Sequence, residues 1–201
     1  MNLRRNTALL IIDVQKGFDD SKWGKRNNPH AEENIAKLLV AWRKSALPIF
    51  HIQHCSKQPN SLLRPGYPGN EIKQIVAPEL GEPVLRKSVN SAFIGTKLES
   101  DLKEKKVDSL VVVGLTTDHC ISTTARMAGN LGFETYVVSD ATATFDRIGP
   151  DGKLYPAEEI HAANLASLHN EFAKVVSTKT VLEELGAGPA GGGSKSTHAK
   201  R

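Results

Sequence analysis

Residues 110–120 read Leu110-Val-Val-Val-Gly-Leu-Thr-Thr-Asp-His-Cys120, an apolar run, a glycine and then polar residues, the order expected where a buried strand passes into a helix. The helix is expected to begin near Cys120, to carry Ile121, Ala125, Ala128 and Leu131 on one face and to stop at Gly132. A sulfur at a helix N-terminus meets unpaired backbone N–H groups and the positive end of the helix dipole, which bias it toward thiolate. The same N–H groups can receive the oxyanion formed when a thiolate attacks a carbonyl. Free cysteine also serves as a small core hydrophobe, so the nucleophile reading of Cys120 depends on which other reactive groups reach it.

Working outward, Ala8 to Val14 (ALLIIDV) is a nearly continuous apolar run that carries one carboxylate, Asp13, the pattern of a strand buried on both faces. A helix follows from about His30 to Ser45, with Ile35, Leu38, Leu39 and Trp42 on one stripe. Pro48 to His54 is a second strand, and Pro83 to Lys87 a third that ends in a lysine. Between them Ser56 to Gly81 is longer than a connector needs, which suits a lid or pocket wall. A helix over Gly95–Lys105, the strand Ser109–Gly114, a strand over Thr135–Asp140, a helix from Ala157 to Glu171, a strand Ala173–Ser177 and a short helix ending at Leu185 complete the pattern. Strands alternating with helices predict an α/β fold: an open, mainly parallel sheet sandwiched by helices in three layers, Rossmann-like in outline. Ligands in such sheets bind beyond the carboxyl ends of the strands, where Asp13, Lys87 and the Cys120 turn all fall.

The 201 residues, 39% of them hydrophobic, suffice for one good core and suggest one domain, 1–185. Residues 186–201 (GAGPAGGGSKSTHAKR) form a low-complexity tail expected to be disordered. The tail holds three of the 26 basic residues, Lys195, Lys200 and Arg201, and no acid; without it 23 basic residues face 22 acidic ones. The formal charge of +4 is thus mostly tail, and no basic stripe interleaved with aromatics calls for nucleic acid as a partner. Two distant cysteines, no secretory signal and no stretch able to span a bilayer predict a cytoplasmic protein with reduced thiols and no membrane partner.

Cofactor motifs are missing. The turn after the first strand, Asp-Val-Gln-Lys-Gly-Phe, is not G-x-G-x-x-G, and no phosphate-binding loop occurs. His51 and His54 stand three apart on a strand and face opposite ways, so they cannot chelate one ion together; no metal or other cofactor is expected. His119 adjoins Cys120, but adjacent residues entering a helix do not face each other, which counts against a dyad. His54, at the carboxyl edge, is a candidate for lining the pocket, with Phe18, Trp23, Phe93 and Phe145 as candidate walls and Gln15 and Asn90 as polar contacts. Asp13, Lys87 and Cys120 together supply what acyl transfer needs: a carboxylate to accept the thiol proton, an ammonium to steady charge and a nucleophile.

With these residues in view, the chain resembles the isochorismatase-like cysteine hydrolases, a superfamily that includes nicotinamidase, N-carbamoylsarcosine amidohydrolase and related amidases. The resemblance covers residues 7 to 185 and is carried by LLIIDVQKGF, VLRKSVNSAF and VVVGLTTDHC in the family's order and spacing. It implies a catalytic triad of Asp13, Lys87 and Cys120, a cis peptide between Leu115 and Thr116, and an oxyanion hole made of the Thr116 and Cys120 N–H groups. It also implies a homo-oligomer, a dimer or tetramer, acting on a small-molecule substrate. Two departures narrow the activity. His-Ile-Gln-His-Cys-Ser stands where nicotinamidases carry an Asp-x-His-Pro-x-x-His metal motif, and true isochorismatases, which cleave a vinyl ether, generally lack the cysteine. The expectation is a hydrolase of an amide, ureide or carbamoyl compound working through a thioester. Isochorismatase-type ether hydrolysis, a non-catalytic small-molecule-binding or assembly module, and a redox-sensing cysteine are the alternatives.

Overall fold

Side-chain alternation along the first strand sets the layer order of the molecule. In this computed structural model, which describes Leu3 and residues 6–186, every residue of β1 (Thr7–Ile12) is buried. Leu9 and Ile11 enter one apolar layer with Ile35, Leu38, Leu39 and Trp42 of α1 (Ala31–Lys44). Ala8, Leu10 and Ile12 enter the opposite layer, with Leu98 and Leu102 of α2 (Leu98–Glu104) and Ala125 and Ala128 of α3 (Ser122–Asn130). Successive strand residues point to opposite faces, so a strand apolar at every position must be covered on both sides.

The remaining elements are β2 (Ile49–His54), β3 (Val84–Lys87), β4 (Ser109–Leu115), β5 (Glu134–Ala143), a two-stranded antiparallel hairpin of β6 (Arg147–Ile148) and β7 (Leu154–Tyr155), α4 (Ala157–Leu168), β8 (Lys174–Val176) and α5 (Thr178–Gly186). The main sheet has six parallel strands in the order β3-β2-β1-β4-β5-β8. The chain runs outward from β1 through β2 to β3 and then returns to lay β4 on the other side of β1. A topological switch point therefore lies between β1 and β4, and a crevice opens beyond their carboxyl ends. No helix among the described residues is long and apolar enough to cross a membrane. The tail expected over 186–201 lies, from residue 187 onward, outside the described residues.

Glycine is required where those two strands meet. Gly114 has φ +121, and a Cβ there would stand 2.0 Å from the Ile12 carbonyl oxygen. Ile12 and Gly114 are register partners, and the β4–β5 pairing shifts between Val112 and Gly114. The bare backbone lets the end of β4 close against β1.

The segment from Ser56 to Gly81, expected as a lid or pocket wall, is pinned to the sheet through Asn70. Asn70 donates to the carbonyls of His54 (2.8 Å) and Leu63 (2.7 Å), while its own carbonyl accepts from Gln15 (2.7 Å) and Gln53 (2.8 Å). Lys73 pairs at 2.7 Å with Glu32 of α1, which Arg26 also holds. Burial alone would raise the Glu32 carboxyl, but the hydrogen bonds from Arg26 and Lys73 outweigh it and bring it down to about 2. Other differences from expectation are local. β5 runs on to Ala143 rather than Asp140, and the loop after it folds into the β6–β7 hairpin. α2 starts at Leu98 rather than Gly95, and α4 ends at Leu168 rather than Glu171. Element ends depend on local capping that hydrophobic periodicity does not register.

Replacing Gly114 with alanine combines a left-handed backbone with a collision against β1, and should lower the unfolding free energy by about 3 kcal/mol or more. Urea denaturation of Gly114→Ala checks this; a loss below about 1 kcal/mol would mean that the two strand ends need no such closeness.

Candidate active site

Three strand ends deliver the reactive groups to the crevice. Asp13 follows β1 directly, in a left-handed conformation (φ 53) that Asp tolerates better than most residues, and its N–H bonds the Ile52 carbonyl at 2.9 Å. Lys87 is the last residue of β3 and the register partner of His54, the last residue of β2. Cys120 lies beyond β4 in a π-helical turn, Thr117–Ile121, that precedes α3. The peptide between Leu115 and Thr116 is cis.

These groups meet around one ammonium. Lys87 Nζ donates to Asp13 Oδ2 at 2.5 Å and to Cys120 Sγ at 3.3 Å, and lies 3.2 Å from His54 Nδ1. The side chains of Asp13 and Lys87 are both fully buried. A carboxylate oxygen of Asp13, a ring nitrogen of His54 and the Cys120 sulfur lie within 4.8 Å of one another. Such a trio could grip a metal ion, but the ammonium is hydrogen-bonded to all three and is the cation they share. Two buried polar atoms here have no hydrogen-bond partner, Asp13 Oδ1 and Thr116 Oγ1. An unpaired buried oxygen is costly unless a ligand or a proton engages it.

The surroundings of the sulfur oppose the bias toward thiolate expected from a helix terminus. Burial and the negative charge of Asp13 push the Cys120 thiol well above the usual range, and the opposing charge of Lys87 does not compensate. The expectation considered only the turn; the carboxylate and the loss of water came with the fold. Burial and the charge of Lys87 hold His54 below the usual imidazole range, with Asp13 opposing.

A cavity of about 200 Å³ opens over the sulfur, small beside the roughly 300 to 1,000 Å³ of drug-sized sites. It is lined by Asp13, Thr116 and Cys120, by the polar His54, Asn90 and His119, by the apolar Phe18, Trp23 and Leu63, and by Ser56, Gln58 and Ser61. Two wider depressions, about 370 Å³ beside Gly132–Thr135 and about 420 Å³ beside Asp101–Lys105, contain neither cysteine nor histidine.

Of the residues expected here, Phe18, Trp23, His54 and Asn90 line the cavity. Phe145 stands one layer back, its ring 6.1 Å from Phe18 and 5.6 Å from Trp23. Two expectations are corrected. Gln15 is fully buried, with its amide spent on the backbone of His54 and on the Asn70 carbonyl, so it makes no polar contact with the cavity. Phe93 packs on the core, its ring 6.0 Å from Phe133, and is no wall. Thr116 was expected through its backbone N–H, and Ser56, Ser61 and Leu63 only as part of the Ser56–Gly81 segment expected as a lid or pocket wall; which residues of that segment face the cavity follows no periodicity. His119 is also at the cavity, but it turns to Asp118 at 3.5 Å. Asp118 is held by Arg147 (2.7 Å) and by the Thr144 hydroxyl (2.5 Å), which ties the turn before Cys120 to the segment after β5.

Comparison with known proteins matches residues 7–180 to the isochorismatase domain. The chain is 49% identical over 182 residues, 90% of its own length and 97% of the relative's, to the uncharacterized isochorismatase family protein YrdC of Bacillus subtilis (strain 168). It is 30% identical over 182 residues to Nicotinamidase 3 of Arabidopsis thaliana, covering 84% of this chain and 83% of that one. The crystal structure of an isochorismatase-family protein from Chromobacterium violaceum ATCC 12472 superposes with a TM-score of 0.90 at 44% identity, covering 93% of this chain and 97% of that one.

The state of the sulfur makes a prediction about reactivity. A raised thiol pKa means little thiolate at neutral pH, so iodoacetamide should modify Cys120 slowly there, faster as the pH rises. Asp13→Asn removes the charge that opposes ionisation while Lys87 stays, so the Cys120 alkylation rate at pH 8 should increase about tenfold. A rate unaltered by Asp13→Asn would show that the carboxylate does not govern the sulfur.

Proposed function

The chain belongs to the isochorismatase family of hydrolases, and from that premise we propose that it cleaves the C–N bond of a small amide, ureide or carbamoyl compound through a cysteine thioester. The observation that carries this reading is the single buried ammonium bonded to both the Asp13 carboxylate and the Cys120 sulfur. A neutral thiol is a poor nucleophile, and a carboxylate within reach with an unpaired oxygen is the base that would activate it as the carbonyl arrives.

In this mechanism Asp13 takes the thiol proton and the sulfur adds to the substrate carbonyl. The oxyanion is received by the backbone N–H groups of Thr116 and Cys120. Collapse of the adduct breaks the C–N bond, and the amine leaves with the proton from Asp13. Water, deprotonated by the same carboxylate, then adds to the thioester; the C–S bond breaks, the acid is freed, and the departing sulfur takes the proton back from Asp13. Lys87 stays protonated throughout, balancing first the carboxylate and then the thiolate. The cavity volume suits a substrate of few heavy atoms, and Phe18 and Trp23 offer an apolar flank to a planar one.

A relative named nicotinamidase supports amide chemistry. The resemblance argues against nicotinamide itself, because His51-Ile-Gln-His-Cys-Ser56 stands where it places the metal motif of nicotinamidases.

Ammonia release over a panel of small amides, ureides and carbamoyl compounds tests the reading. The wild-type chain should turn over at least one member, and Cys120→Ala should lower kcat by about 10³-fold or more. Cys120 is buried and small, so the alanine variant should keep its fold, which circular dichroism checks. An alanine variant that released ammonia at the wild-type rate would refute the thioester route.

A further inference from the structure

The ammonium of Lys87 has three protons, and the third points to a residue the mechanism above does not use. We propose that His54 is a positioning residue, a neutral imidazole that accepts a hydrogen bond from Lys87 at Nδ1 and so holds the ammonium between Asp13 and Cys120. The inference rests on the reading of Lys87 as charge holder in cysteine-dependent hydrolysis, and deepens it.

An ammonium only donates, and one without water needs an acceptor for every proton. Lys87 is 2% exposed. Asp13 Oδ2 at 2.5 Å and Cys120 Sγ at 3.3 Å take two protons. His54 Nδ1, at 3.2 Å, takes the third, and because Nζ has no lone pair Nδ1 must be the unprotonated nitrogen and Nε2 must carry the hydrogen. The approach is built into the sheet: His54 and Lys87 are register partners on adjacent parallel strands. The backbone of His54 is clamped on both sides, its N–H given to Gln15 Oε1 (2.9 Å) and its carbonyl accepting from Gln15 (3.0 Å) and Asn70 (2.8 Å). Gln15 is thus the device that sets the ring, which explains an amide buried at the edge of a cavity it does not enter.

The charged and titratable groups that face this ring are Lys87 from β3, Asp13 from the end of β1, Cys120 from the π-helical turn and His119 across the cavity. Protonating Nδ1 would turn a proton toward an ammonium and remove the acceptor. Burial and the Lys87 charge keep the imidazole below its usual range, so it is neutral at pH 7 and the contact fails only as the pH falls through that depressed pKa. Activity should therefore be lost on the acid side.

The test uses the full chain and the amide that the wild type turns over fastest in the panel. His54→Leu should lower kcat about tenfold to a hundredfold, a larger effect than the change in KM that follows from altering one residue of the cavity lining. His54→Asn places an amide oxygen near the position of Nδ1; it should lose several-fold less, and its acid limb should shift because the amide does not titrate. A wild-type kcat in His54→Leu would overturn the proposal, as would equal losses in both variants, which would mean that the imidazole itself moves protons. If Cys120→Ala were fully active, the hydrolase reading would fall first, and the two failures are thereby distinct. Independently of any substrate, the ¹⁵N spectrum of the wild-type imidazole should show Nδ1 unprotonated with a pKa below 6.5. A protonated Nδ1 at pH 7 would overturn the assignment.

Discussion

A charged amine shut away from water must find an acceptor for each of its protons, and the carboxyl end of this sheet is arranged to satisfy that demand. Lys87 meets a carboxylate, an imidazole and a sulfur that arrive from the ends of β1, β2 and β4. A buried ion pair contributes little net stability, because desolvation offsets most of the attraction. What it supplies is placement. Removing either partner would leave the other charge buried and alone, at a cost of several kcal/mol, so the arrangement holds itself to one geometry, with the sulfur inside it.

Around that charge lies a shell of residues that brace the elements carrying it. Gln15 and Asn70 bond the backbone at the end of β2 and, through each other, the loop that forms part of the cavity side. Gly114 allows β4 to close on β1 so that Asp13 and the cysteine turn stand on the two sides of the switch point. Asp118, Thr144 and Arg147 fasten that turn from the far side. Phe18, Trp23 and Phe145 form one aromatic group, of which only the first two reach the cavity. Rigid elements thus set the reactive atoms, and braced loops set the shape above them.

How far the chain could be read depended on how local the controlling physics was. ALLIIDV is apolar at nearly every position, so its burial on both faces, and with it the parallel sheet, follows from the residues. A carboxylate and a lysine at strand ends marked the binding edge because open α/β sheets bind ligands there. Gln15 and Phe93 were misread because nothing local separates a side chain that faces a cavity from one that faces the backbone or the core. The bias on the sulfur was opposed for a related reason: burial, and then a charge brought from a segment more than a hundred residues earlier, raise the thiol pKa.

The sequence by itself determined the layered α/β architecture, the edge at which chemistry could occur and the reactive residue types delivered there, because hydrophobic period and strand-end position are properties of short stretches. Only the tertiary structure decided that Lys87 would be the common partner of Asp13, His54 and Cys120, that Gln15 would serve the backbone, and that burial beside a carboxylate would raise the thiol pKa. Those outcomes depend on register between strands and on the removal of water, and both exist only once distant segments have packed together.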